Sequence, residues 1–180
     1  ALATWFEARS CVQTHSRNEC GGFSTLAGLH LARLCYDTLL KYGVEACADN
    51  EAHLVTEALS NIAEANILLS GIGFESSGLA TAHSVHNGLT ALEETHAFYH
   101  GEKVAFGVLT GLHLTAASAE EMDAVYSFCE SIGLHTTFAD IGMKNVSSDQ
   151  LERVAEKSCA PAESIKNEVV KSNPLKVLQA

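Results

Sequence analysis

Leucine and alanine dominate this chain. There are 25 Ala and 21 Leu against six Ile and 12 Val, and no stretch alternates apolar with polar residues as a half-buried strand would. Ala and Leu lose little on entering a helix, whereas β-branched side chains favour strands. That bias constrains the fold most: the chain reads as all-α, without the βαβ pattern of a nucleotide-binding sheet. Helices are expected at about 2–15, 24–41, 51–69, 76–89, 103–117, 119–132, 148–159 and from 174 onward.

Local punctuation supports several of these. Ser118 to Glu121 and Ser147 to Gln150 have capping-box spacing, in which each Ser can bond the backbone amide three residues on. Gly43, Gly71 and Gly133 fall where helices should stop. In the 51–69 segment Val55, Leu59, Ile62 and Leu69 share one stripe, with Glu57, Asn61 and Glu64 on another. Gly71-Ile72-Gly73 follows no strand and reads as a tight turn. No repeat, low-complexity tract or linker appears, so one helical unit is expected. The opening Ala1-Leu2-Ala3-Thr4-Trp5-Phe6 reads as a helix already under way. Asn173-Pro174 reads as an N-cap with Pro at N1, opening a helix that stops at Ala180. A chain cut at both ends from a longer protein is the expectation.

Charge and cysteine narrow the classes further. The 180 residues carry 11 Lys plus Arg against 22 Asp plus Glu, a net charge of -11. Such a chain repels phosphate backbones and anionic lipid, so neither nucleic acid nor a membrane surface is an expected partner. The longest uncharged stretches, Ser76–Leu92 and Val104–Ala119, are shorter than the roughly 20 residues of a membrane span. The six cysteines show no CxxC pair and no metal spacing. They read as small buried hydrophobes in a reducing cytoplasm.

The residues able to carry chemistry are histidines. His15, His30, His53, His113 and His135 are scattered and take no role. His83, His86, His96 and His100 crowd one nearly uncharged window. His83 and His86, three apart, can project from one helical face. Buried imidazoles need partners, and a cation bound by neutral rings is one solution. Spacing alone leaves satisfied core or helix-end histidines open as well. If a metal binds, it joins one His of the 76–89 helix to one of the 96–100 region, since the chain can fold back after Gly88. Ahead of this window stands Gly71-Ile72-Gly73-Phe74-Glu75-Ser76-Ser77-Gly78. Either Ser76 or Ser77 caps the helix that follows, or the run is the rim of a site with Phe74 as an apolar wall for substrate.

The run from Gly71 to Ala80, then Ala82-His83, His86-Asn87-Gly88-Leu89-Thr90 and Tyr99-His100-Gly101-Glu102-Lys103-Val104-Ala105, resembles the bacterial glycerol dehydrogenases. These belong to the group III alcohol dehydrogenases, which use iron or zinc. The opening nine residues and Ser127-Phe128-Cys129-Glu130-Ser131-Ile132-Gly133-Leu134 are similar too. The resemblance implies the helical, metal-binding C-terminal domain of the dehydroquinate synthase-like fold, over residues 1–180. The NAD-binding α/β domain would lie upstream. It implies a divalent metal, zinc or iron, held by one Asp and two His. The two His match His83 and His100. The Asp would directly precede Ala1, so this chain would carry two of three ligands and bind zinc weakly. Further implied are a small polyol as substrate, glycerol oxidised to dihydroxyacetone by the whole protein, and inactivity of this part alone; a homo-oligomer is expected because apolar surface left by a missing partner domain tends to associate. Lys166 stands where the family often has His. Two alternatives are a dehydrogenase of another small alcohol and a helical interaction module that keeps the motif without the chemistry.

Overall fold

Nine α-helices make up the chain, several of them opened by a side-chain cap, such as Thr25, Thr56, Ser118, Ser147 and Asn173. The structure, a computed structural model, describes residues 1–180. The only extended pairing is an isolated antiparallel bridge between Arg17 and Phe23, so the all-α expectation holds. No helix is long and apolar enough to cross a membrane.

The chain divides into two compact units, Ala1–Leu79 and Ala80–Ala180. The sequence carries no Pro- or Ser-rich linker there. The break is made by Gly78, whose φ of 106° ends a helix in a conformation that side chains resist.

The first unit holds α1 (Leu2–Thr14), α2 (Leu26–Glu51), α3 (Glu57–Glu64) and α4 (Ser70–Ser77). A π-helical stretch, Ala65–Leu69, runs between the last two. Two expected stops fail here. The α2 helix runs through Gly43, because Ala32, Cys35, Tyr36, Leu39, Gly43 and Ala46 make one buried stripe at helical spacing. The small glycine is part of that packed face. The Gly71–Gly73 pair is likewise no turn but part of α4. A Cβ on Gly73 would stand 3.0 Å from Thr4 Cγ2 and 3.1 Å from Ala32 N, so this glycine is where α1, α2 and α4 close on one another. The expected 51–69 helix also breaks. Thr56 caps a new start by accepting from Leu59 N at 3.2 Å, and Val55 is left 88% exposed outside the stripe.

The second unit holds α5 (Thr81–Leu89), α6 (His100–Leu114), α7 (Ala119–Ser131), α8 (Ser148–Ser158) and α9 (Pro174–Gln179). Three caps are as expected. Ser118 Oγ accepts from Glu121 N at 3.2 Å, Ser147 Oγ from Gln150 N at 3.2 Å, and Asn173 Oδ1 from Lys176 N at 3.0 Å. Gly133 follows α7 with a φ of 74°, the expected stop. The core is Val85, Leu89, Leu92, Phe106, Ile141, Met143 and Val154. Around it α5 meets two helices by backbone contact. A Cβ on Gly107 would lie 2.3 Å from Ala82 O, and one on Gly88 would lie 2.5 Å from Val154 O. Glycine at both crossings lets α6 and α8 approach α5 closely.

All six cysteines are thiols. Cys11, Cys35 and Cys129 are buried as expected, whereas Cys20 and Cys47 are exposed.

Candidate metal centre

The close α5–α6 crossing sets the site. His83 and His86 lie one turn apart on α5, and His100 opens α6, with Tyr99 before it as the cap residue. Glu102 fixes that opening turn: its carboxylate accepts from Tyr99 N at 2.6 Å and meets His135 Nε2 at 3.3 Å. The ring of His100 sits 5.5 Å from that of His83 and 4.3 Å from that of His86. His100 Nδ1 lies 3.1 Å from His86 Nε2. Three of the four histidines singled out from the sequence therefore converge. The fourth does not: His96 is exposed, with Nε2 3.2 Å from Thr90 O.

The other histidines have local partners. His15 and His53 take left-handed conformations at helix ends, with φ of 53° and 56°. His113 bonds Tyr126 Oη at 3.0 Å, and His30 Nδ1 lies 2.7 Å from Leu26 O.

Burial and neighbouring charge favour the neutral form of two of these rings, His86 and His100. Burial lowers the His86 pKa below its ordinary value; nearby Lys103 and His83 lower it further, while Asn87 and Glu163 act the other way. Burial lowers His100 as well, followed by repulsion from His86, His83 and Lys103. The positive end of α6 works in the same direction. Lys103 is 6% exposed and donates to Thr95 O at 3.2 Å, which places a buried ammonium beside the rings. Neutral imidazoles keep a lone pair, which is what a cation needs and what protonation would remove.

A divalent cation would fit this donor set in part. Imidazole nitrogens suit zinc and iron. Yet no group of three or more His, Cys, Asp or Glu side chains is arranged to hold a metal ion. Glu163 reaches the cluster by a hydrogen bond through Asn87, at 2.9 Å, and as a charge near His86.

Phe74 sits on α4 in the first unit, half-buried. Ser76 and Ser77 do not cap α5. Ser77 Oγ pairs with Ser24 Oγ at 2.9 Å, and α5 starts at Ala80 with no side-chain cap. A cavity of about 440 Å³ in the second unit is lined by Leu89, Phe106, Leu109, His113, Tyr126 and Val177 among others, and by none of the clustered histidines.

Sequence reading missed three participants. Asn87 adjoins His86 in sequence, and Lys103 is one turn from His100, so both carried a positional signal. Glu163 is 76 residues from Asn87 and carried none.

No family model matches the chain. It is 56% identical over 168 residues to the glycerol dehydrogenase of Thermotoga maritima, which covers 93% of this chain and 46% of the relative. It is 47% identical over 179 residues to the glycolaldehyde reductase of Halobacterium salinarum, covering 99% of this chain and 49% of the relative. The crystal structure of a probable glycerol dehydrogenase from Sinorhizobium meliloti superposes with a TM-score of 0.96 at 44% identity, over 99% of this chain and 50% of that one. The chain thus spans about half the length of the curated relatives it matches. Over nearly its whole length the chain is homologous to glycerol dehydrogenases, and its all-helical fold matches the helical C-terminal domain of their structures.

Proposed function

We propose that this chain is the metal- and substrate-binding portion of an NAD-dependent glycerol dehydrogenase, a cytoplasmic homo-oligomer that oxidises glycerol to dihydroxyacetone. His83 and His100 supply two ligands to a divalent metal, zinc or iron. An Asp preceding Ala1 supplies the third, and Phe74 gives substrate an apolar wall. The observation that supports this most is the convergence of His83 and His100 on α5 and α6, in a chain 56% identical to a glycerol dehydrogenase.

When bound, such a cation polarises the substrate hydroxyl and lowers its pKa. NAD, held elsewhere in the protein, supplies the hydride acceptor. This chain's part is placement. Gly107 against Ala82 holds α5 and α6 at close approach, which fixes the spacing of His83 and His100. The Glu102 cap holds the turn that presents His100. Burial first, then the neighbouring rings and Lys103, lower the pKa of His100 and favour its unprotonated form. Without the cofactor-binding portion these residues perform no turnover.

The likeness to a glycolaldehyde reductase favours a second reading, a related enzyme working on another small hydroxylated substrate. Glycerol and glycolaldehyde turnover by the whole protein with NAD distinguishes the two. In that assay His83→Ala or His100→Ala should lower kcat/KM by more than about a hundredfold, beyond the loss typical of an outer-shell change. His96→Ala should leave it within about twofold, because a solvent-exposed side chain away from the cluster contributes little. Full activity of His100→Ala would remove the assignment.

A further inference from the structure

A line of four side chains ends at His100. Glu163 Oε2 lies 2.9 Å from Asn87 Nδ2, Asn87 Oδ1 lies 3.0 Å from His86 Nδ1, and His86 Nε2 lies 3.1 Å from His100 Nδ1. Its proton order follows from the end that cannot donate. A carboxylate only accepts, so Asn87 must turn its NH2 toward Glu163. Its oxygen then faces His86, and an amide oxygen also only accepts. His86 Nδ1 therefore carries the proton, and in a neutral ring Nε2 is left as acceptor. His100 Nδ1 must donate to it, and the lone pair of His100 falls on Nε2.

We propose that Glu163 and Asn87 are positioning residues: through His86 they hold His100 in the tautomer that bears its proton on Nδ1 and leaves Nε2 bare for a ligand. This rests on the reading of His100 as a metal ligand. It adds the device that prepares the ring before metal arrives. Histidines that bind metals are commonly oriented by a bond from their second nitrogen to a carboxylate, carbonyl or water. Here the partner is a second imidazole, and the carboxylate acts from two bonds further back. Asn87 is half-buried and Glu163 sits in a separate stretch of chain ahead of a single helical turn, Ser164–Asn167. The line therefore ties α5 to a distant segment for which the core packing has no need of an amide.

The test is nitrogen-15 NMR of the imidazoles in the metal-free 180-residue chain at pH 8.5, where an ordinary histidine is neutral. His86 and His100 should each show a protonated Nδ1 and a bare Nε2. In Asn87→Leu the two nitrogen signals of His100 should move toward each other as its tautomers mix. Glu163→Ala, at a position that packs in no core, should do the same if Asn87→Leu fails to fold. Glu163→Gln should move them as well, because an amide can donate to Asn87 as readily as accept from it and no longer fixes the direction of the line. Zinc affinity of the chain extended upstream by Gly-Asp should fall about 10–100-fold in Asn87→Leu. A proton on His100 Nε2 in the unaltered chain would overturn the inference, as would His100 signals that neither Asn87→Leu nor Glu163→Ala moves. The metal assignment fails on a different result: the expected tautomers, yet equal zinc affinity in His100→Ala. That outcome supports the line of bonds while removing the ligand it prepares.

Discussion

Cys129 shows how burial of one small side chain makes a titration. It is 0% exposed, and burial, assisted by Glu130, pushes its thiol from 9.0 up to about 11. The folded pKa is the higher one, so the native state favours the protonated thiol. Its contribution is fully present below pH 9 and is lost as pH rises from about 9 to about 11. Stability in urea should fall across that window by up to about 1.4 kcal/mol per pH unit, and Cys129→Ala should flatten the slope. A slope unchanged in Cys129→Ala would assign it to other groups. At this scale the sequence was partly informative. Cysteines on apolar helical faces, Cys35 and Cys129, are buried as their neighbours imply, but Cys20 lies in a turn-rich segment and is exposed. The histidines divide in the same way. Spacing brought His83, His86 and His100 to attention together, and only the fold shows that His96 turns away to Thr90.

Helices were legible wherever a cap or a stripe marked them, and glycines were where reading failed. Ser118, Ser147 and Asn173 begin helices as their chemistry dictates. Gly43, Gly71 and Gly73 look like breakers in one dimension but are inside helices, Gly43 and Gly73 buried and Gly71 exposed. A glycine that ends a helix and one that admits a neighbour have the same letter, and only the packing partner separates them. Two substitutions test this. Gly107→Ala places a methyl 2.3 Å from a backbone oxygen of α5, which cannot rotate away. Overpacking should then outweigh the roughly 1 kcal/mol gain in helix propensity, for a net loss of about 2 kcal/mol in urea unfolding. Gly71→Ala meets nothing within 4 Å and should stabilise by roughly 0.5–1 kcal/mol. Equal effects of the two would mean that close approach is not what keeps glycine at the α5–α6 crossing.

For the whole molecule, composition was enough to give an all-α chain, and the motif resemblance gave the relatives it matches. The division after Leu79 was not legible, because Gly78-Leu79-Ala80 has neither the charge nor the composition of a linker. Glu163 was not legible either, since its role comes from a contact across 76 positions. His83 and His100 are proposed as two ligands of a three-ligand metal site. A lone pair of imidazoles lacks the carboxylate that offsets the cation's charge, so the loss should exceed tenfold in affinity. Calorimetric zinc titration at neutral pH, on the 180 residues and on the same chain extended upstream by Gly-Asp, measures this directly. Weak binding is expected for the first and binding more than tenfold tighter for the second, abolished by His83→Ala or His100→Ala and kept in His96→Ala. Equal affinity with and without the added Asp, or loss in His96→Ala with retention in His100→Ala, would contradict the proposal.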